Sequence, residues 1–103
     1  MTERQYTTKL LSSLKGLPVG HFTKIHGGPY QTAGISDIIG CYRGRYIAVE
    51  VKDAKHKSAP NGGLTPLQMK FLAEVRAAGG LEIIVYTSAT PEAVVEHIRQ
   101  YVR

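Results

Sequence analysis

The stretch Gly34-Ile35-Ser36-Asp37-Ile38-Ile39-Gly40-Cys41-Tyr42, then Arg43-Gly44, then Arg45-Tyr46-Ile47-Ala48-Val49-Glu50-Val51-Lys52-Asp53 decides the fold. Two runs of β-branched and aromatic residues, Ile35 to Tyr42 and Arg45 to Asp53, flank a glycine-containing break and read as a β-hairpin. Arg-Gly is a weaker turn signal than Asn-Gly. Side chains alternate along a strand, so Glu50 and Lys52 project from one face. If Arg43-Gly44 is a two-residue turn, Tyr42 faces Arg45. Counting back along both strands then sets Asp37 directly opposite Glu50, with Cβ atoms ~4.5–5.5 Å apart. A bulge, at Gly40 for instance, would shift that register.

Like charges in direct opposition destabilise a sheet, so the pair needs something to neutralise it. A divalent cation does so, because Mg²⁺ typically takes one or two protein carboxylates together with waters and a substrate phosphate. Lys52, on the same face, offsets part of the charge and can position an attacking water or stabilise a pentavalent phosphate. Asp, Glu and Lys in this arrangement are the minimum for metal-assisted phosphodiester hydrolysis. The plain alternative is a surface hairpin whose polar face happens to carry these three residues.

Working outward, Tyr6, Leu10, Leu14 and Leu17 repeat at helical spacing, which predicts an amphipathic helix from Thr2 to Leu17, capped by Thr2 and ended by Gly16 and Pro18. Glu3 shares its apolar face, an unusual place for a carboxylate without a partner. His21 to His26 reads as a short strand. After Asp53 the chain turns basic and flexible through Lys55, His56 and Lys57 to Pro60-Asn61-Gly62-Gly63. Thr65-Pro66-Leu67-Gln68 opens a helix with a capping box, with Leu67, Phe71, Leu72 and Val75 as its apolar stripe and Gly79-Gly80 as its stop. Leu81 to Thr87 is a strand whose run Ile83-Ile84-Val85-Tyr86 suggests burial on both faces. A last helix begins near Thr90-Pro91. The order α-β-β-β-α-β-α implies an α/β domain, a mixed sheet flanked by helices.

The chain has 103 residues, so one domain spanning 1–103 is expected. Its single cysteine, Cys41, excludes an intrachain disulfide and any zinc site that needs several thiolates. No apolar run reaches the ~20 residues of a membrane span. No signal peptide is visible in the polar start, so a cytoplasmic location without membrane attachment is expected. Thirteen Lys and Arg against eight Asp and Glu leave a formal net charge of +5, compatible with a nucleic-acid partner.

Asp37, a twelve-residue gap, then Glu50-Val51-Lys52 resembles the signature of the PD-(D/E)xK nuclease superfamily. Gly34-Ile35-Ser36-Asp37, Val49-Glu50-Val51-Lys52 and Leu64-Thr65-Pro66-Leu67-Gln68-Met69-Lys70-Phe71, closed by Ala78-Gly79-Gly80, resemble more closely the virus-type replication-repair nuclease (VRR-NUC) family. The resemblance covers nearly the whole chain. It implies a restriction-endonuclease-like αβββαβ core, here with an extra C-terminal helix, and a nuclease dependent on Mg²⁺ or Mn²⁺. It makes Asp37 and Glu50 the metal ligands, with the Val51 carbonyl a further one, and Lys52 the catalytic lysine. It maps the family's first-helix glutamate onto Glu3 and its helix glutamine onto Gln68. Ser36 stands where the superfamily name has Pro, an ordinary departure within the family. Stand-alone members are associated with homodimers acting on branched DNA, including Holliday junctions, and this association guides the expected substrate.

Gln68 is also explained by the capping box alone, and Glu3 by exposure of a frayed first turn. Lys55, His56, Lys57 and Lys70, with Arg43 and Arg45 at the hairpin tip, are the candidate phosphate contacts. His26 and Tyr30 could line a DNA groove. Two other functions stay open: a non-catalytic nucleic-acid-binding module on the same fold, and a sequence-specific restriction-type nuclease.

Overall fold

A computed structural model of the chain describes residues 1–27 and 33–102. Among the described residues, helix α1 (Glu3–Leu14) leads into strand β1 (Gly20–Lys24), the hairpin β2 (Ile38–Tyr42) and β3 (Arg45–Lys52), helix α2 (Pro66–Ala77), strand β4 (Leu81–Tyr86) and helix α3 (Pro91–Tyr101). Two short 3-10 turns, Ala54–His56 and Pro60–Gly63, lie between β3 and α2. The sheet runs β1-β2-β3-β4, antiparallel except for the parallel β3–β4 pair. The expected α/β order and the mixed sheet flanked by helices are both present.

The hairpin register is the one its turn dictates. Tyr42 pairs with Arg45, and the pairing continues without a bulge to Ile38 opposite Val49. Arg43 and Gly44 both take positive φ, 51° and 81°, as a tight two-residue turn demands. Gly40 does not break the ladder. It pairs with Phe22, whose ring occupies the space a Gly40 side chain would need.

The two faces of the sheet have different cores. Ile38, Tyr42, Ile47, Val49 and Val51 point toward α1 and α3 and join Tyr6, Leu10, Leu14, Phe22, Ile83, Val85, Val94 and Ile98. On the other face Ala48 meets Leu72 and Val75 of α2, with Ile39, Leu64 and Phe71 packed beside them. Glu50 and Lys52 belong to this second face by alternation.

Several boundaries differ from expectation for physical reasons. α1 ends at Leu14 rather than Leu17, yet Leu17 is still buried because the chain folds back after the Lys15 cap. β2 starts at Ile38, so Asp37 stands just outside the strand. β4 is an edge strand, buried at Ile83 and Val85 but with Ile84 41% exposed, so burial on both faces does not occur. Leu67, expected in the apolar stripe of α2, is exposed because it sits on the first turn. The segment after Asp53 is built into the two 3-10 turns. Asp53 caps the first by accepting a hydrogen bond from Lys55 N at 3.0 Å.

Arg45 ties the far pole together. Its Nε donates to the Gly79 carbonyl at 3.1 Å and its guanidinium also to the Tyr101 carbonyl at 3.4 Å, satisfying main-chain groups at the ends of two helices. Arg45→Ala should therefore lower folding stability by about 1 kcal/mol. Urea denaturation checks this, and an unchanged midpoint would show that the two bonds contribute nothing.

Candidate active site

The sheet delivers Asp37 and Glu50 to each other. Ile38 opposite Val49 is the last ladder pair of β2, and the next position on each strand is Asp37 and Glu50. Asp37 stays in place although it has left the strand. Its carbonyl accepts from Ile25 N at 2.8 Å, and its Oδ2 accepts from Val51 N at 2.8 Å. The loop before it is set by Gly34, whose φ of 81° and lack of a side chain let it press on the main chain of Leu67 and Gln68 at the start of α2.

Glu50 is only 3% exposed, and its Oε1 is buried with no hydrogen-bond partner among the described residues. Burial pushes its carboxyl up to about 9, with a hydrogen bond to the Asp37 carboxyl and the Asp37 charge adding to the rise. Lys52 acts in the opposite direction, and Glu3 adds a smaller upward push. Burial first, and then the neighbouring Asp37, disfavour the ionised form of Glu50.

The donor set fits a hard cation. It consists of two opposed carboxylates, one with an unpartnered buried oxygen and the other with Oδ2 already held by a main-chain N–H. No cluster of three or more His, Cys, Asp or Glu able to hold a metal exists among the described residues. Oxygen donors from one or two carboxylates, completed by water, suit Mg²⁺ or Mn²⁺ and not a thiolate or imidazole site.

The remaining candidates separate into those near the pair and those far from it. Lys52 is half-buried on the face of Glu50, close enough for its charge to act on that carboxyl. Glu3 is exposed on the first turn of α1, so it shares the helix face of Tyr6 without being buried, and it still reaches Glu50 electrostatically. Gln68 is in the capping box: its Oε1 accepts from Thr65 N at 3.0 Å, and its own N–H donates to the Thr65 hydroxyl. Lys55, His56 and Lys57 follow β3 in the first 3-10 turn and its cap, and Lys70 is exposed on α2. Arg43 and Arg45 are at the other end of β3. Arg45 is five residues from Glu50, roughly 16 Å along the strand. His26 is exposed, Cys41 is a free exposed thiol, and Tyr30 lies outside the described residues.

Two residues beside the site were not singled out from sequence. The parallel pairing puts Ile84 next to Glu50 and Tyr86 next to Lys52. The alternation of β4 was readable, but its register against β3 passes through a crossover helix and has no local signal.

Comparison with known families gives this site a context. The family model for RecU, recombination protein U, matches residues 17–100. The chain belongs to the RecU family. RecU is a family of Holliday junction resolvases, so the chain is of a nuclease type that acts on DNA in recombination and repair. The match shows a nuclease family, as the resemblance implied, but RecU and not VRR-NUC is the family it names. It spans Asp37, Glu50, Lys52 and Gln68 and begins after Glu3. No curated protein matches the chain. No helix among the described residues is long and apolar enough to cross a membrane.

The raised Glu50 carboxyl makes metal-free stability depend on pH. Well below its ordinary value of 4.5, Glu50 is protonated in both folded and unfolded chains. From there to about 9 the unfolded chain releases the proton while the folded chain keeps it, so stability falls as pH rises. The contribution is at most about 1.4 kcal/mol per pH unit. In EDTA, Glu50→Gln should flatten this decline between pH 5 and 9, read from urea denaturation at each pH. A variant as pH-sensitive as the parent would remove Glu50 as the cause.

Proposed function

We propose that this chain is a Mg²⁺- or Mn²⁺-dependent endonuclease that hydrolyses DNA phosphodiester bonds, selects branched DNA such as the four-way junction, and works in the cytoplasm as a homodimer of the 103-residue domain. The observation that carries the reading is the buried Glu50 carboxyl opposite Asp37, one oxygen unpartnered, with Lys52 on the same face. Membership of a resolvase family supports DNA as the substrate and the branched junction as its form.

Asp37 and Glu50 would hold the cation, with the Val51 carbonyl a further candidate donor. When bound, the cation supplies Lewis-acid stabilisation of charge on the phosphoryl oxygens. Asp37 is held ready by the Val51 N–H, which fixes its Oδ2. Lys52 carries a positive charge beside the pair, where it orients the hydrolytic water and stabilises the developing negative charge. Glu3 adds negative charge at the edge of the site, and Gln68 supports the α2 end with its amide N–H₂ while its oxygen caps the helix.

Lys55, His56, Lys57 and Lys70 lie in elements that follow β3 and supply sequence-independent attraction for phosphates. No base-reading motif is visible in the sequence, which favours recognition of shape. Two active sites in a dimer would place one on each of two strands of a four-way junction.

The test is cleavage of labelled four-way junction, splayed-arm and linear duplex DNA with Mg²⁺, Mn²⁺ or EDTA. Paired nicks in the junction that require metal are expected. Lys52→Ala and Asp37→Ala should each reduce the rate by at least about 10²-fold while leaving junction binding within a few-fold. Binding without cleavage in either metal would favour the non-catalytic module instead. Discrete cuts on plain duplex would favour a restriction-type enzyme.

A further inference from the structure

Tyr86 lies where the chemistry and the basic loop meet. It is the register neighbour of Lys52 across the parallel β3–β4 pair, so its ring stands beside that lysine on the face of Glu50. Its hydroxyl reaches away from the strand and donates to the Gly62 carbonyl at 2.9 Å. The Lys57 ammonium sits 5.9 Å from the centre of its ring, at the outer limit of a cation–π contact. One side chain thus touches both halves of the segment between β3 and α2.

That segment is shaped to receive it. Asn61, Gly62 and Gly63 have consecutive positive φ values of 56°, 63° and 84°, a conformation that turns the Gly62 carbonyl toward β4. A side chain at Gly62 would collide with the Tyr86 hydroxyl. At its start the segment is pinned by Ala54 N donating to Thr87 Oγ1 at 3.0 Å, one residue beyond Tyr86. Lys55 and Lys57 remain exposed.

The electrostatics say why such a brace matters. Asp37 and Glu3 act on Glu50 as negative charges, near the place a phosphodiester must approach. Cations have to be held close by to offset the repulsion of a polyanion. Arg45 is unsuited to this, being at the far pole and occupied by main-chain carbonyls.

We propose that Tyr86 is a positioning residue for DNA: it braces the loop 54–63 and sets the Lys57 ammonium so that the loop cations meet the phosphates flanking the scissile bond. This inference rests on the nuclease reading above. Tyr86 itself takes no part in bond cleavage.

The experiment uses the full chain and a fluorescently labelled four-way junction. Binding is measured in EDTA across a salt series, and cleavage separately with Mn²⁺. Tyr86→Phe, which keeps the ring and loses only the hydroxyl, should raise Kd and KM by roughly 3–10-fold and leave kcat within about twofold, the split expected when uniform binding is lost. The slope of log Kd against log salt should fall by about one phosphate contact. Lys57→Gln, a surface change that cannot unfold the chain, should do the same, and the double variant should be no worse than the more severe single one. Parent-like binding and salt slope in either single variant would overturn the inference. So would multiplicative losses in the double variant, or a fall in kcat equal to the rise in KM. Parent protein that neither binds nor cuts any DNA would overturn the nuclease reading and this inference with it. Normal parent binding with an unaffected Tyr86→Phe would overturn this inference alone.

Discussion

The structure depends on one unfavourable juxtaposition, a buried Glu50 carboxyl held beside the partly exposed Asp37 at the end of an antiparallel pair. Burial and, after it, the neighbouring Asp37 raise the Glu50 carboxyl to about 9. Much of the surrounding architecture holds this arrangement in place. The Val51 N–H fixes Asp37, Ile25 ties its backbone to β1, and Gly34 seats the preceding loop on α2. Lys52 supplies the nearest counter-charge. A carboxyl pair of this kind is suited to a hard cation, whose charge compensates both groups when they ionise.

The cations at the two ends of β3 have different surroundings. At the hairpin tip, Arg45 is consumed by the ends of α2 and α3, where carbonyls left over from helix hydrogen bonding need donors. At the other pole, Lys52 lies beside Glu50, and Lys55 and Lys57 follow it out of β3. Net charge therefore says little about where a polyanion would lie. The direction of β3, with its C-terminal end at the carboxylates, says more. The crossover through α2 reinforces that end, since it returns β4 parallel to β3 and brings Tyr86 and Ile84 alongside Lys52 and Glu50.

The hairpin was legible in the sequence because its information is local. A two-residue turn and a period of two determine every pairing up to Asp37 and Glu50, and Gly40 spoiled nothing because Phe22 fills its place. The α2 start was legible for the same reason, with Thr65 and Gln68 closing their capping box within one turn. That same local bond limits what could be concluded about Gln68, since a residue that caps a helix looks alike with or without a substrate nearby. Glu3 was readable as a face position, but the first turn of α1 leaves it exposed while Tyr6 on the same face is buried.

The sequence by itself determined the alternation, turns and caps that align Asp37, Glu50 and Lys52, and hence the chemistry available to them. Only the tertiary structure decided that β4 is an edge strand with Ile84 half-open, that Arg45 serves two helix ends, and that Tyr86 links β3 to the basic loop. The physical reason is range. Hydrogen-bonded turns and strand periodicity act over a few residues and leave their mark in order. The choice of neighbour across a crossover is made by burial of whole faces, which no short stretch of sequence records.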